Sequence, residues 1–305
     1  MKYNIGCVIV TYNRKELLRL CLEAVASQTV KPHTVYITDN ASTDGTCESV
    51  KEWGYYNSIK NGIEYKYILN DKNEGGAGGF CLGMKSAFYD DSYDGIWVMD
   101  DDGIPYPDCL ERLLHHLNEY HFLSPVVVAK ENHKMMAFRN CSVDEYVSKA
   151  NNGIILDNCP FNGILFSTEL IKKIGFPKKE LFIWGDEDNY RHRAIEAGHP
   201  GVTVADAFHI HPQNRQEEAE TICHKIIKVT DVKWKLFCMM RNNAYNNTVR
   251  KINWIKRVGI PIRVWFYYTY YFVVKRKNFS IVLLLTEAFL RGLFHNFGGM
   301  KKYMK

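Results

Sequence analysis

Four short apolar runs rich in β-branched residues, three of them closed by a polar or acidic cluster, constrain this chain more than any other feature. Ile5 to Val10 runs into Thr11-Tyr12-Asn13-Arg14, Val35 to Thr38 ends at Asp39-Asn40, and Gly95 to Met99 ends at Asp100-Asp101-Asp102; Ile63 to Leu69 is the fourth. Runs of this length and composition read as strands. Between them the apolar period becomes helical. Leu17, Leu18, Leu20, Cys21 and Ala24 form one stripe, and Leu110, Leu113, Leu114 and Leu117 form another after Pro107. Ser42, Thr43 and Asp44 are candidate caps for a helix reaching about Trp53. Alternation of this kind predicts an α/β fold: a Rossmann-like, mainly parallel sheet with flanking helices. Ligands of such open sheets bind beyond the carboxyl ends of the strands, where all three polar clusters fall.

The pattern weakens from about Glu119 to Asp157 and sharpens again at Phe161 to Phe166. A helix is expected around Glu169 to Ile174, and another with Ala194 and Ala197. A short strand, Val202 to Ala205, precedes Phe208-His209-Ile210-His211. The 305 residues suffice for one large α/β domain with an appendage. With 46% hydrophobic and 24% charged residues, the composition is that of a globular protein and excludes a disordered one. Nine cysteines, an odd number with no CxxC spacing, argue for free thiols in a reducing compartment over a disulfide framework or a zinc knuckle. The strand pattern starts at once, with no signal-peptide pattern before it, so a cytoplasmic location is expected.

Asp100-Asp101-Asp102 sets three carboxylates side by side, and their repulsion needs an offset. A hard divalent cation supplies one; a solvated acidic loop is the alternative. On an extended segment Asp100 and Asp102 share a face, so they can address one ion. A cation held there can neutralise the diphosphate that leaves when a nucleotide-sugar reacts. His209 or His211 is a candidate further ligand. The second acidic cluster, Asp186-Glu187-Asp188, lies just before a helical pattern. It suits either a helix cap or a general base for an acceptor hydroxyl, with Trp184 beside it as a stacking platform or a packing residue. Gly75-Gly76-Ala77-Gly78-Gly79 reads as a flexible turn into a helix. It is not a dinucleotide fingerprint, since Cys81 stands where the last glycine belongs and the run follows the third strand.

Taken together, Val8-Ile9-Val10-Thr11-Tyr12-Asn13-Arg14 and Asp39-Asn40-Ala41-Ser42-Thr43-Asp44-Gly45-Thr46 resemble the opening of glycosyltransferase family 2. Asn73 to Phe80, Trp97 to Asp102, Phe182 to Glu187 and the later His211 extend the resemblance, toward the galactofuranosyltransferase-like and rhamnosyltransferase-like branch. It covers roughly residues 3–215. It implies a GT-A fold and an inverting, metal-dependent transfer of a sugar from a nucleoside diphosphate. Galactofuranose from UDP-galactofuranose is the first expectation and dTDP-rhamnose the second; the acceptor is a glycan or lipid-linked glycan of the cell surface. By position, Thr11, Tyr12, Asn13, Arg14, Asp39 and Asn40 are implied in the nucleotide pocket, with Asn73, Gly75, Gly76, Asp100 and Asp101 at the donor. Asp100, Asp102 and His211 are implied as ligands of Mn²⁺ or Mg²⁺. Asp186 or Glu187 is implied as base, and Trp184, Asn162 and Gly163 as acceptor contacts.

Domain organisation follows charge. Residues 251–305 carry eleven of the 39 Lys and Arg and one of the 34 acids, a net +10 against −5 for the preceding 250. A catalytic domain is expected over 1–215, with nucleotide binding in 1–102 and acceptor binding and catalysis in 103–215. A helical, basic and aromatic region follows in 216–305. Neither Val258 to Val274, which Pro261 and Arg263 interrupt, nor the shorter Phe279 to Leu290 is a clean membrane span. Aromatic and basic residues together suit a helix lying on an anionic membrane, on the inner face of the cytoplasmic membrane, or else a packing surface for a second copy. Nucleic acid is not an expected partner, because the acidic half offers no basic groove. Two rival functions fit the sequence less well. A nucleotidyltransferase would need a glycine-rich loop after the first strand, and Thr11 to Arg14 holds no glycine. A nucleotide-binding scaffold without catalysis would not need both acidic clusters.

Overall fold

A computed structural model describes residues 3–158, 160–213, 218–222 and 225–304. In chain order the first half runs β1 (Ile5–Thr11), α1 (Lys15–Ala26), β2 (Thr34–Asp39), α2 (Thr46–Glu52), β3 (Ser58–Lys60), β4 (Ile63–Leu69), α3 (Gly75–Asp90), β5 (Gly95–Asp100), β6 (Ile104–Pro105) and α4 (Cys109–Leu114). There follow β7 (Phe122–Ala129), β8 (Asn132–Met136), α5 (Val143–Val147), β9 (Ile154–Ile155), β10 (Ile164–Ser167), α6 (Thr168–Ile174), α7 (Asp186–Glu196) and β11 (Val202–His211). The chain closes with β12 (Glu218–Ile222), β13 (Lys225–Val229), α8 (Lys233–Val249), α9 (Trp254–Tyr270) and α10 (Ile281–Leu293). Two compact units result: Met1–Lys179 with Arg193–Gln213, and Glu180–His192 with Asn214–Lys305.

The first unit is built on one mixed sheet in the order β3-β4-β2-β1-β5-β10-β7-β11-β6, parallel across β4-β2-β1-β5. Every residue of β1 is buried, as expected of a central strand covered on both faces. Register then does the positioning. Thr11 pairs with Asp39 and Val10 with Asp100, so the three polar clusters of the sequence come to one edge of the sheet. The four strands expected at the start are all present, with β3 added before β4.

Several local expectations are corrected. The glycine run is not a flexible turn but the first turns of α3. A Cβ on Gly79 would lie 2.4 Å from Val10, and one on Gly83 2.4 Å from Val8, so α3 lies closer to β1 than any side chain would permit. Leu20 is exposed; the buried face of α1 is Leu18, Cys21, Leu22 and Val25. The weak stretch after Glu119 hides β7, all eight residues of which are buried. A strand covered on both faces shows no alternation, and Pro125 within it further masked it. The strand expected at Val202–Ala205 runs on to His211, through an irregularity between Val204 and Phe208. Asp186-Glu187-Asp188 is not a loop before a helix but the first turn of α7.

In the second unit, α8, α9, the π-helical turn Tyr271–Lys275 and α10 bury Leu236, Phe237, Tyr268, Phe272, Leu284 and Leu285 in one core. Seven cysteines are free thiols, as expected; Cys159 and Cys223 lie outside the described residues. No helix among the described residues is long and apolar enough to cross a membrane.

Candidate active site

The edge of the sheet where β1, β2 and β5 end carries a polar constellation of Thr11, Arg14, Asp100, Asp101, Asp102 and His211. Asp100, Asp102 and His211 each offer a ligand atom, and these atoms lie within 4.8 Å of one another. Topology explains how residues so far apart in sequence meet. The chain leaves Asp102 as β6, which pairs antiparallel with the end of β11 through Pro105–His209 and Ile104–Ile210. His211 Nε2 is 3.0 Å from Asp102 Oδ1. Its Nδ1 lies 2.6 Å from the carbonyl of Pro212, which can only accept, so Nδ1 carries a proton and Nε2 faces the carboxylates.

These residues fit a divalent cation. The donors are two carboxylates and one oriented imidazole nitrogen. Asp102 Oδ1 is buried, 3.0 Å from His211 Nε2 but with no aligned hydrogen-bond donor among the described residues, so its lone pairs suit a cation. Burial pushes the His211 imidazole toward neutrality, but Asp102 outweighs it and raises its pKa. Asp102 is likewise pushed up by burial and, on balance, held below the usual carboxylate range by His211 and Arg14.

Asp101 faces elsewhere. Its Oδ2 accepts from the Thr11 hydroxyl at 2.8 Å, and its Oδ1 lies 3.2 Å from Arg14, whose guanidinium also reaches Asp102 at 2.8 Å. Burial raises Asp101 to about 6 despite that neighbour. Arg14 is thus a counter-ion to the acidic triplet. His209 is the other histidine weighed from the sequence. It is wholly buried, driven down to about 3 by burial, with neither ring nitrogen hydrogen-bonded among the described residues. Gly103 and Gly163 press on its ring, where a Cβ would come within 2.4 and 2.9 Å of its nitrogens. It is a packing residue.

Beside this cluster, Asp39 is buried and accepts from the Ser42 amide at 2.8 Å and from the Tyr67 hydroxyl. Asn13, at φ +53°, accepts from the Thr43 amide at 2.7 Å and so ties the loops after β1 and β2 together. Tyr12 is exposed next to it. Asn73 caps the turn by accepting from Gly75 N–H, while Asn40 donates to the Gly75 carbonyl at 2.7 Å. A Cβ on Gly76 would meet nothing within 4 Å, so this glycine, unlike Gly79, faces open space. Asn162 and Gly163 are buried at the start of β10, where the Gly163 carbonyl accepts from the Trp97 indole at 2.8 Å.

The second acidic cluster belongs to the other unit, with Trp184. Asp186 is buried and raised to about 6 by that burial, against hydrogen bonds from the backbone of Asp186 and Glu187. Asp188 is pushed up by burial but, on balance, held well down by His192, Arg250 and Arg191. Arg250 reaches it at 2.6 Å. Glu187 is half-buried.

A model of the glycosyl transferase family 2 domain matches residues 7–171. The chain belongs to glycosyl transferase family 2. The galactofuranosyltransferase GlfT1 of Mycolicibacterium smegmatis is 30% identical over 291 residues, 90% of this chain and 91% of that protein. The solved mannosyltransferase PcManGT from Pyrobaculum calidifontis, in complex with GDP-Man and Mn²⁺, superposes with a TM-score of 0.58 at 14% identity, covering 94% of this chain and 74% of that one. S. aureus TarS residues 1–349, in complex with UDP-GlcNAc, gives 0.56 at 15% identity over 95% and 81%. The fold is therefore GT-A and the protein a glycosyltransferase, as the sequence motifs implied. In this family-2 chain, sequence reading missed Tyr67 on Asp39 and the polar face of α8. Tyr67 sits at an inward position of β4, a signal that period-2 alternation carries; α8 gave none, because its polar residues look like a solvated face.

Proposed function

We propose that this enzyme transfers galactofuranose from UDP-galactofuranose to a hydroxyl of a lipid-linked or polysaccharide acceptor, with inversion. The observation that carries the metal-dependent reading is the meeting of Asp100, Asp102 and His211 at the sheet edge. The sugar rests on the GlfT1 relative. Mn²⁺ or Mg²⁺ held by these three residues would supply Lewis-acid neutralisation of the leaving diphosphate. The chain's own residues do the rest. Thr11, Tyr12, Asp39 and Asn40 line the nucleotide, and Arg14 holds the acidic triplet in place. Asn73, Gly75 and open Gly76 shape the start of α3, whose N–H groups suit a phosphate. Asp186 takes the acceptor proton in preference to Glu187, since a carboxyl raised to about 6 by burial is better matched to neutral pH. Trp184 offers the acceptor a ring face. Asn162 and Gly163, the expected acceptor contacts, are both buried, so any part they play for the acceptor is through packing before β10. The test is a transfer assay with UDP-galactofuranose and dTDP-rhamnose, each with Mn²⁺, Mg²⁺ or EDTA. Metal-dependent UDP release with the first donor supports the reading. Turnover with dTDP-rhamnose alone replaces the donor, and turnover undiminished in EDTA removes the metal.

The same reading places the enzyme on the inner face of the cytoplasmic membrane, docked through α9 and α10. On α9 and the π-helical turn that continues it, Trp254, Val258, Ile262, Phe266, Tyr270 and Val274 are all exposed and recur every four residues. Leu283 and Leu290 are exposed on α10, and Phe279 and Phe294 are exposed just beyond its two ends. α10 packs against α9, with Trp265 Nε1 3.2 Å from Thr286 Oγ1. Exposed Lys256, Arg263 and Lys275 accompany these apolar residues, which suits an anionic headgroup layer. Co-sedimentation with vesicles containing anionic lipid, lost in a Phe266→Ser, Leu283→Ser double variant, is expected. Equal binding by that variant would refute this placement.

A further inference from the structure

The segment that carries Trp184 and Asp186 is strained. Phe182 and Trp184 adopt φ of +68° and +58°, and Gly185 follows at +109°. Left-handed backbone at bulky aromatic residues costs about 1–2 kcal/mol each and persists only where the surroundings impose it. Within the same unit, one face of α8 does the imposing. Asn242 Nδ2 lies 2.8, 2.9 and 2.7 Å from the carbonyls of Leu181, Ile183 and Trp184. One turn on, Asn246 donates to the Gly185 carbonyl at 2.7 Å and accepts from Asn189 at 3.2 Å. One turn further, Arg250 reaches Asp188. Arg241 also donates to the Leu181 carbonyl at 2.9 Å, and its Nε donates to Asn242 Oδ1 at 3.0 Å, which fixes which way the amide faces.

Arg241, Asn242 and Asn246 are all almost fully buried. Burying a guanidinium and two amides is expensive unless every polar atom is matched, and apolar residues would join α8 to a loop at less cost. What apolar residues cannot do is hold consecutive carbonyls of a left-handed turn in fixed directions. The fit is close enough that a Cβ on Gly185 would come 2.9 Å from Asn242 Cβ.

We infer that Asn242 and Asn246, four residues apart on α8, with Arg250 just past the end of that helix, are positioning residues that set the orientation of Trp184 and of the Asp186 carboxyl toward the acceptor. This rests on the reading that Asp186 and Trp184 serve the acceptor. The ladder acts through the backbone of 181–185 and touches no substrate itself.

The test uses Asn242→Asp, which keeps the acceptor for Arg241 and sets a carboxylate against three carbonyls. Asn246→Asp is the milder companion in case the first fails to fold. Acceptor kcat/KM, the pH–rate profile and metal-dependent UDP affinity are measured on the full chain. A loss of about 100-fold in acceptor kcat/KM is expected, the size of effect that a misplacement of about 1 Å produces. It should come with a shifted pH profile and UDP affinity within about twofold of wild type. A folded Asn242→Asp or Asn246→Asp enzyme with wild-type transfer overturns the inference. So does a loss in which UDP affinity and transfer fall together, the mark of a residue that only holds the fold. Asp186→Asn and Glu187→Gln, run alongside, judge the base separately. If both keep turnover while Asn242→Asp loses it selectively, the base assignment fails and the positioning role stands for the acceptor platform alone.

Discussion

The two acidic clusters of this enzyme are held by opposite means. Asp100 and Asp102 sit where a sheet delivers them: β5 lies in register between β1 and β10, and β6 then carries the chain to the end of β11, where His211 waits. Asp186 heads a helix after a strained turn, and side chains of a distant helix, α8, hold that turn carbonyl by carbonyl. The first is a sheet edge with a buried oxygen that meets no aligned donor among the described residues; the second is a turn whose Leu181, Ile183, Trp184 and Gly185 carbonyls accept from α8. An edge fixed by ladder hydrogen bonds needs no further support. A left-handed turn at Phe182, Trp184 and Gly185, leading into Asp186 at the head of α7, does, and the buried amides of α8 provide it.

The sharpest way to break this comparison is at the sheet edge. Asp102→Ala is expected to lower transfer by about a thousandfold or more while leaving the circular dichroism spectrum unchanged. Comparable loss in the Asp101→Asn variant would mean that the outer pair is not distinguished from the inward-facing residue. At the helix, Asp186→Asn should cost about 100-fold or more in turnover with UDP affinity retained.

The same substitution should affect stability in the opposite sense. The folded-state pKa of Asp186, about 6, lies above the ordinary value of 3.8. The protonated carboxyl therefore favours the folded state below about pH 4, and that advantage is lost as pH rises through about 6. Above pH 7 the wild type carries a penalty of about 2–3 kcal/mol that asparagine lacks. Denaturant titration should show the Asp186→Asn variant as the more stable at pH 7.5, with the gap closing toward pH 4. A gap independent of pH would contradict the burial of an ionised group there. The smallest effect separates glycines within α3. Gly79→Ala, against Val10, should destabilise by about 1–3 kcal/mol, whereas Gly76→Ala, in open space, should leave stability nearly unchanged and alter UDP affinity instead. Equal destabilisation by both would contradict the division between packing and open glycines.

The sheet edge was legible because short-range pattern carries it. Apolar runs announce strands, parallel pairing aligns their ends, and residues such as Thr11, Asp39 and Asp100 need only their own strand to be found. The strand pattern left His209 and His211 open as candidates and the family resemblance pointed to His211, which ends a β11 longer than its pattern. The start of α3 was misread as a turn because glycine signals loops, and only the closeness of Val8 and Val10 makes helix tolerable for it. β7 was hidden because burial on both faces erases alternation. Asn242 and Asn246 were beyond reach for a different reason: an asparagine on a helix looks solvated until its partners, some sixty residues earlier, are known.

Calorimetric titration of UDP into the full-length protein, with Mn²⁺ and again with EDTA, tests the central claim most directly, with Asp102→Ala as control. Binding by the wild type that strengthens at least tenfold with Mn²⁺, and a variant that loses this gain, are the expected results. Affinity unaffected by the metal, or a metal-dependent gain that survives in Asp102→Ala, would contradict the assignment of Asp100, Asp102 and His211 as the metal centre.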